Sequence, residues 1–368
     1  MISILHISSA SGWRGGEKQI SNLFKGFEKI NTKTNQYLLC RLNSSLHSYS
    51  SKNNIQAITY KGKGLGLLLF GKRLFNVVKS NNIDLIHVHD SKAHNYAVYS
   101  QYIYNFYCPI VVSRKVVFPL NKNIFTKFKY NFKSIKKIIS ISTAVKMEIE
   151  KNNLLPETEI IMDSIDTGLK LQSNYLRKKF SFNANEKIIG YVAALTNEKD
   201  HYTFLNTAKQ ILNKGKKCHF VIVGEGKNEK HLIEYSKKIE IFKSITFTGF
   251  IPDVNKYLSD FDICLFTSTN EGLGSSILDF FLAKVPVVAT NAGGIKDIVK
   301  EGVTGCLCNV SDYMSLADKV IRVLENGLLR NEVVNNAYEY VIENHSLETL
   351  AGKHLHVYKE ALLVGNND

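Results

Sequence analysis

The stretch FTSTNEGLGSSILDFFLAKVPVVATNAGG, Phe266 to Gly294, runs from the end of one apolar strand through a glycine-rich loop and an apolar helix to a second strand. The two strand-like runs, Ile263–Phe266 and Val287–Ala289, are short and apolar throughout. Such runs are typical of parallel strands that are covered by helices on both faces. The stretch therefore predicts part of an open parallel sheet, with its ligand-binding loops at the carboxyl ends of the strands.

The same alternation of short apolar runs and helical patterns extends over nearly all of the 368 residues. Eleven runs are predicted as strands: Ser3–Ile7, Tyr37–Arg41, Leu85–Val88, Ile110–Val112, Ile138–Ile141, Ile188–Ala193, Phe220–Val223, Ile245–Phe247, Ile263–Phe266, Val287–Ala289 and Gly305–Cys308. Because eleven strands exceed one comfortable sheet, we predict an α/β fold of two Rossmann-like doubly wound domains that face each other across a cleft. The predicted domains are residues 1–167 and 168–345, and residues 346–368 are predicted to form a helix that packs back toward the first domain.

The charge of the chain is concentrated in its first half. Residues 1–170 contain 24 Lys and Arg against 10 Asp and Glu, whereas residues 171–368 contain 23 of each, so the net charge of +14 lies entirely in the first part. Drift toward lysine in an AT-rich genome would raise the lysine content of both halves of the chain. The asymmetry instead predicts an anionic partner, which could be a phosphate-bearing substrate, a lipid surface or a nucleic acid. None of the usual nucleic-acid-binding modules is recognisable, so we expect no nucleic acid.

One basic segment, Asn121–Lys137, places Ile124, Phe128, Phe132 and Ile135 on one helical stripe. Two interpretations remain open: an amphipathic helix that lies on an anionic bilayer, and a core-facing helix with solvated lysines. The candidate residues for a membrane or acceptor surface are Lys127, Phe128, Lys129, Phe132, Lys133, Lys136 and Lys137.

The remaining composition predicts a cytoplasmic protein. The six cysteines form no Cys-x-x-Cys pair, no basic region precedes the first apolar run, and no run of 18 apolar residues occurs. We therefore expect reduced thiols, no signal peptide and no transmembrane helix. The sequence also shows no cluster with the spacing of metal ligands, so we expect no metal.

Several strand-to-helix loops carry residues suited to ligand binding. Paired glycines, Gly15-Gly16, follow the first strand. Gly274, Ser275 and Ser276 lie at the start of the helix after Glu271, which is predicted to begin near Gly274. Backbone N–H groups at both places can meet an anion. The alternative to ligand binding at Gly15-Gly16 is an ordinary tight turn. Asp279 lies eight residues after Glu271, and the alternative to ligand binding by these two carboxylates is a stabilising charge near a helix N-terminus.

Two further motifs are weaker. Gly224, in VIVGEGKNEK, begins a dinucleotide fingerprint that fails at Glu229, where the third glycine is required. We interpret it as a turn near a ligand. Asp260 and Asp262 could hold a metal, but they precede a strand at the end opposite the carboxyl edge, so a structural role is favoured.

These pieces, in this order, resemble the retaining GT-B glycosyltransferases of family 4. The hallmark of that family is two glutamates separated by seven residues, in the context EGfg..llEA.a.g.PVvat..GG. The stretch EGLGSSILDFFLAKVPVVATNAGG matches it with Asp279 in place of the second glutamate. The segments FTGFIPDVNKYLSDFDICLFTS, IVKEGVTGCLC and GGEKQ are similar to further parts of the family pattern.

The resemblance implies a role for each matching residue. Glu271 would hold the hydroxyls of the donor sugar, His89 would stand near the reacting sugar, and Lys199 would bind the donor diphosphate. The resemblance thus implies that all three are catalytic. His87, two positions before His89, is a competing candidate. The implied donor-binding residues are Gly15, Gly16, Gly224, Phe250, Ile251, Gly274, Ser275, Ser276 and Asp279, with Phe250 and Ile251 flanking the base and Asp279 on the ribose.

Three departures from the family pattern stand out. Asp279 is one methylene shorter than the usual glutamate, and the sequence DSID, Asp163 to Asp166, replaces an Asn-Gly turn. Ala194 occupies the position of an arginine that binds the diphosphate, so Arg14 or Arg114 is expected to supply a cation to the diphosphate or the acceptor.

The implied reaction moves a sugar from a nucleotide diphosphate sugar to a hydroxyl, with retention at the anomeric carbon and without a metal or other cofactor. The resemblance leaves open whether the nucleotide is UDP or GDP. The expected acceptor is a lipid-linked or cell-envelope glycan, at the inner face of the cytoplasmic membrane. The alternatives are a nucleotide-sugar epimerase of the same fold and a non-catalytic basic protein that binds membranes or nucleic acid.

Overall fold

The computed structural model describes residues 1–61, 66–121, 123–183 and 186–365. The chain divides into two compact units: unit 1 is Met1–Ser164 with the chain from Leu347 onward, and unit 2 is Ile165–Ser346. The predicted boundary after residue 167 lies three residues beyond the division after Ser164. The last three residues of the predicted segment 346–368 lie outside the described ranges.

Both units contain an open sheet in which all strands are parallel. The sheet of unit 1 has the order β3-β2-β1-β4-β5-β6-β7. Its strands are β1 Ile2–Ser8, β2 Thr34–Arg41, β3 Gln56–Tyr60, β4 Leu85–Val88, β5 Ile110–Arg114, β6 Ile135–Ser140 and β7 Glu157–Ile160.

The sheet of unit 2 has the order β10-β9-β8-β11-β12-β13. Its strands are β8 Lys187–Val192, β9 Cys218–Val223, β10 Ile245–Phe247, β11 Ile263–Phe266, β12 Val287–Thr290 and β13 Cys306–Cys308. The fold of two Rossmann-like α/β domains is thereby confirmed. In each sheet the strand order reverses once, between β1 and β4 and between β8 and β11, and ligands of such sheets bind at this reversal.

Helices connect the strands and cover both sheets. Unit 1 contains α1 Gly15–Lys29, α2 Ser45–Lys52, α3 Gly66–Ser80, α4 Ser91–Ile103, α5 Ile124–Tyr130 and α6 Thr143–Glu150. Unit 2 contains α7 Tyr175–Lys179, α8 His201–Asn213, α9 Glu229–Lys238, α10 Ser276–Leu282, α11 Ile295–Ile298, α12 Tyr313–Glu325 and α13 Gly327–Asn344. The last helix, α14 Leu347–Gly365, belongs to unit 1.

Helix α14 packs closely against α1. A side chain at Gly26 of α1 would place its Cβ 2.3 Å from the carbonyl oxygen of Leu347, so the two helices can cross here only because Gly26 has none. Leu23 and Phe27 of α1 share a buried cluster with Tyr358 of α14. The C-terminal helix is thus part of the core of unit 1.

The predicted helix over Asn121–Lys137 is wrong beyond Tyr130. Helix α5 ends there, and Ile135 begins strand β6, which carries Lys136 and Lys137 into the sheet at 9% and 6% exposure. Lys137 Nζ lies 2.6 Å from Glu157, 3.1 Å from Glu159 and 2.9 Å from Glu360. The β-branched residues of IKKIIS favour a strand, and these carboxylates compensate the buried charge. Lys136 and Lys137 therefore do not form a membrane surface.

Candidate functional site

An ion pair at the strand reversal of unit 2 joins the two best-supported candidate residues. Lys199 ends the short 3-10 turn Asn197–Lys199 after β8, and Glu271 lies in the loop after β11. The Lys199 ammonium donates to Oε1 of Glu271, and the two side chains are 23% and 10% exposed. Because β8 and β11 are neighbours, residues 72 positions apart meet at the edge where ligands of this fold bind.

Two side chains that the sequence analysis missed hold this pair in place. Ser268 Oγ donates to the same Glu271 oxygen over 2.7 Å. The hydroxyl of Tyr191 lies 2.7 Å from Ser268 Oγ and 3.0 Å from the carbonyl oxygen of Lys199. Burial, and then the charge of Glu271, raise the pKa of Tyr191 well above its ordinary value, so it remains a neutral phenol that links both loops. No local sequence signal identifies Tyr191, because its partners follow other strands.

The second glycine pair supports the backbone of Glu271. Gly293 has a φ of 55°, and a Cβ there would lie 2.1 Å from the carbonyl oxygen of Glu271. The N–H of Gly294 donates to that same oxygen over 3.0 Å. The glycines after β12 therefore allow the close approach of two loops.

The start of α10 contains the small residues that were predicted to meet an anion. Gly274 has a φ of 83°, which favours glycine, and it turns the chain into Ser275 and Ser276. The helix begins at Ser276, two residues after the predicted start, and Asp279 lies half-buried in its first turn. The Ser276 hydroxyl donates to the carbonyl oxygen of Val192 over 3.4 Å, which ties α10 to the end of β8.

The loops after β9 and β10 meet at Gly224. Its N–H donates to the carbonyl oxygen of Gly249 over 3.0 Å, and a Cβ at Gly224 would lie 2.0 Å from the carbonyl oxygen of Ala193. Phe250 is 65% exposed, whereas Ile251 is 5% exposed and buried in the core. Of the two residues expected to flank the base, only Phe250 has an accessible side chain.

In unit 1 the glycine loop follows β1. Helix α1 begins at Gly15, and Arg14 before it donates its N–H to Glu17 Oε2 over 2.8 Å. No heavy atom lies within 4 Å of a Cβ built at Gly15 or Gly16, so the backbone there is open to a ligand. Arg14 is exposed beside it.

His89 follows β4 at the strand reversal of unit 1 and is hydrogen-bonded to a buried histidine. His6 Nδ1 lies 2.9 Å from His89 Nε2, and His6 Nε2 lies 2.6 Å from Gln36 Oε1. Burial lowers the pKa of His6 to about 4, despite the Gln36 hydrogen bond, so His6 is neutral. Since the amide oxygen accepts, His6 donates from Nε2 and accepts at Nδ1 from His89 Nε2–H. His89 is left with Nδ1 as an acceptor.

The competing candidate His87 has a structural role. It is fully buried, with its Nδ1 2.7 Å from the hydroxyl of Tyr358 and its Nε2 2.8 Å from Ser113 Oγ. Burial lowers its pKa well below the ordinary value, and nearby His89 adds to this. Ring nitrogens of His6, His87 and His89 lie within 4.8 Å of one another, a spacing that could hold a metal ion. Hydrogen bonds already occupy both nitrogens of His6 and of His87.

Arg114 ends β5 and borders a cavity of about 20 Å³ that His89 also lines. Its guanidinium donates to the carbonyl oxygen of Phe118 and lies 3.4 Å from the hydroxyl of Tyr130. Asp163, the first residue of the unexplained DSID sequence, lines the same cavity and pairs with Lys115 at 3.4 Å.

The Asp260 and Asp262 pair is structural, as the sequence analysis favoured. Asp260 accepts from the N–H of Leu176 over 2.6 Å at the start of α7. Asp262 pairs with Arg177 and Lys187, each at 3.0 Å. These carboxylates join α7 and β8 to the amino-terminal end of β11.

Residues 172–340 match the family model described as glycosyl transferases group 1. This match lies within unit 2 and includes Lys199, Glu271 and Asp279. Among similar curated proteins, the N-acetyl-alpha-D-glucosaminyl L-malate synthase of Bacillus anthracis is 22% identical over 315 residues, which cover 80% of this chain and 79% of that protein. The 2-deoxystreptamine N-acetyl-D-glucosaminyltransferase of Niallia circulans is 26% identical over 314 residues, covering 76% and 79%.

Solved structures share the architecture of the whole chain. Anabaena Alr3699/HepE, in complex with UDP and glucose, superposes with a TM-score of 0.83 at 19% identity, covering 98% of this chain and 100% of that one. A glycosyltransferase from Rickettsia africae gives 0.84 at 20% identity, covering 98% of each chain. The fold is therefore that of the GT-B glycosyltransferases. Together, this fold and the match to the family model support glycosyltransferase activity.

Within the described residues, the search for a bilayer-spanning helix finds none that is both long and apolar enough.

Proposed function

We propose that this chain is a retaining glycosyltransferase of family 4 that transfers a sugar from a nucleotide diphosphate sugar to a hydroxyl. The observation that carries the proposal is the Lys199–Glu271 pair at the strand reversal of unit 2, inside the region that matches the family model. The comparisons favour neither the epimerase nor the non-catalytic binding protein.

In this proposal the Lys199–Glu271 ion pair opens when the donor binds. The donor diphosphate takes over the Lys199 ammonium, which stabilises the negative charge that develops as the diphosphate leaves. Glu271 is then released from Lys199 to accept hydrogen bonds from the sugar hydroxyls. The N–H groups at the start of α10 add to the positive field, and Asp279 holds the ribose. No metal enters this scheme.

Retention is proposed to follow from departure and attack on one face of the sugar. A double-displacement mechanism needs a carboxylate nucleophile about 5 Å from a second carboxyl group. Glu271 is hydrogen-bonded to Lys199 and Ser268, an arrangement suited to orientation rather than attack. An acceptor hydroxyl is therefore directed at the anomeric carbon, with a diphosphate oxygen as its base. His89 Nδ1 serves as an acceptor for a sugar hydroxyl.

UDP is the first nucleotide to test, because Alr3699/HepE was solved with UDP and glucose. Arg14, exposed beside Gly15 and Gly16, is proposed to supply the diphosphate cation that Ala194 does not. The proposed acceptor is a cell-envelope glycan or its lipid-linked precursor, and one relative is described as a poly(ribitol-phosphate) alpha-N-acetylglucosaminyltransferase of Staphylococcus aureus.

The decisive experiment measures nucleotide binding and sugar release together. We expect UDP or GDP to raise the melting temperature of the wild type, and Lys199→Ala to weaken that binding and lower donor turnover by about 10²-fold or more. Lys230→Ala, at an exposed position of α9 in the same unit, is the matched control. Unchanged turnover in Lys199→Ala would refute the proposal. Conversion of the donor sugar without nucleotide release would indicate the epimerase instead.

Peripheral attachment to the inner face of the membrane is proposed from the exposed side of α5. Ile124 and Phe125 are 76% and 67% exposed, and Lys127 and Lys133 are exposed near them. Apolar groups can enter the interface while the lysines meet anionic headgroups.

This attachment predicts co-sedimentation with anionic liposomes at physiological salt. The double variant Ile124→Ser with Phe125→Ser should sediment several-fold less than the wild type, because the inserting side chains are lost. Leu328→Ser, at an 85% exposed position in unit 2, controls for a general loss of surface hydrophobicity. Failure of the wild type to sediment would exclude the attachment.

A further inference from the structure

Lys129 is a buried cation with no carboxylate partner among the residues that the structure describes. It was predicted to face a membrane, but its residue is only 8% exposed at the end of α5. Its ammonium donates to Ser91 Oγ over 3.2 Å, and Ser91 is exposed at the start of α4. Among the residues that the structure describes, no carboxylate lies within ion-pair distance of Lys129, in contrast to Lys137, which has three.

A second cation contacts the same tyrosine. Arg114 Nη1 lies 3.4 Å from the hydroxyl of Tyr130, and Lys129 Nζ lies 5.1 Å from the centroid of that ring. Tyr130 itself is 3% exposed. Burial, and then the charge of Arg114, lower the pKa of Lys129 to about 8, with nearby Asp90 opposing the shift, so the Lys129 ammonium remains charged at neutral pH.

Asp90, whose charge acts on Lys129, is committed to other contacts. Asp90 accepts from the N–H and the hydroxyl of Ser9, each over 2.6 Å, and from the N–H groups of Lys92 and Ala93. Its oxygens cap α4 and hold the loop after β1. Holding two cations around one buried tyrosine without such a partner is costly in a partly buried setting. An arriving anion would remove that cost.

We propose that Arg114, Lys129 and the hydroxyl of Ser91 bind a phosphate or carboxylate group of the sugar acceptor. The guanidinium and the ammonium supply charge, and the Ser91 hydroxyl supplies a hydrogen bond. Ser91 lies two residues after His89, and Arg114 lines a cavity with His89. An acceptor held there has its anionic group beside the residue proposed to stand near the reacting sugar. The inference rests on the proposed function only in naming the anion's source as the acceptor.

The test uses small anions and melting temperature, so it does not require the acceptor to be known. At about 20 mM and matched ionic strength, inorganic phosphate or succinate should raise the melting temperature of the wild type by about 2–4 °C more than sodium chloride. The two probes distinguish a phosphate-bearing from a carboxylate-bearing acceptor.

Lys129→Met should abolish the anion-specific shift. Without the anion, the variant should melt at the wild-type temperature or above it, because an uncompensated charge is removed and the side-chain volume is kept. Lys127→Met removes a charge from an exposed position of the same helix and should keep the shift. Ser91→Ala, also at an exposed position, should reduce the shift and provides a second variant should Lys129→Met not fold.

The inference is wrong if neither anion exceeds sodium chloride on the wild type, or if Lys129→Met and Ser91→Ala respond as the wild type does. A UDP titration of the same proteins keeps the two proposals apart. If UDP stabilises the wild type and the anions do not, the anion site fails while the proposed function stands. If neither UDP nor, in a parallel titration, GDP has an effect, the proposed function fails independently.

Discussion

At the scale of single residues, the position of Glu271 depends on an atom that is absent from Gly293. The carbonyl oxygen of Glu271 occupies the space where a Cβ of Gly293 would stand, and Gly294 donates an N–H to it. Ser268 and Lys199 fix the other end of the residue through its carboxylate. The candidate site is thus held by backbone proximity as much as by charge.

Gly293→Ala should therefore destabilise unit 2 by more than about 2 kcal/mol, since a positive φ alone costs an alanine about 1–2 kcal/mol and the 2.1 Å approach adds to it. It should also weaken donor turnover by displacing Glu271. Gly302→Ala is the control, because Gly302 has a φ of 71° but no heavy atom within 4 Å of its Cβ position. Urea unfolding followed by circular dichroism measures the free energy of unfolding of both variants. Equal losses of stability in the two variants would contradict this account.

At the scale of elements, α14 shows how the chain completes unit 1 from its far end. Its Tyr358 is fully buried and lies 2.7 Å from His87, while its N-terminal turn crosses α1 at Gly26. The sequence analysis predicted a helix that packs back toward the first domain. It could not identify Gly26 as the crossing point, because a glycine inside a helical pattern carries no mark of its partner.

Gly26→Ala should destabilise unit 1 by about 2 kcal/mol or more, because its Cβ would overlap the carbonyl oxygen of Leu347 at 2.3 Å. Gly352→Ala, in α14 with nothing within 4 Å, should instead stabilise it by up to about 1 kcal/mol through helix propensity. Trp13 is the only tryptophan of the chain and lies in unit 1, so its fluorescence reports this unit alone. Stabilisation by Gly26→Ala would refute the close crossing.

The elements also show where pattern analysis loses information. Central strands such as β4 and β11 are buried at every position, and their predicted bounds are the observed ones. Strand β3 was missed, because an edge strand is only partly buried and QAITY lacks the continuous apolar run. The helix predicted through Lys137 failed for a related reason: buried Lys137 pairs with Glu157 and Glu159, which lie 20 or more positions away along the chain.

At the scale of the whole molecule, unit 1 combines the excess positive charge with a set of buried neutral histidines. Burial lowers the pKa of His6 to about 4 and that of His354 to about 3. In the unfolded chain both titrate near 6.5, so the unfolded state takes up protons first as the pH falls. Their burial in the neutral form therefore lowers the free energy of unfolding of unit 1 as the pH falls.

The free energy of unfolding of unit 1 should be constant with respect to these groups above pH 7 and should fall between pH 6 and 4.5. Each histidine adds a slope of up to about 1.4 kcal/mol per pH unit. His354→Gln should flatten the dependence, whereas His231→Gln, at an exposed position in unit 2, should not change it. Denaturant titrations followed by Trp13 fluorescence measure this slope; a wild-type slope near zero between pH 6 and 4.5 would show that the histidines are not held neutral.

The sequence by itself determined the fold class and the candidate residues on the loops, because strand periodicity and loop motifs are local properties of the chain. Glu271 was identified in this way, and Lys199 and His89 were identified through the resemblance to the family pattern. Only the tertiary structure decided which residues meet: Lys199 with Glu271, His89 with His6, and Lys129 with Ser91. A contact depends on strand order and burial, which bring together residues that are distant along the chain, and neither is a property of any short stretch of sequence.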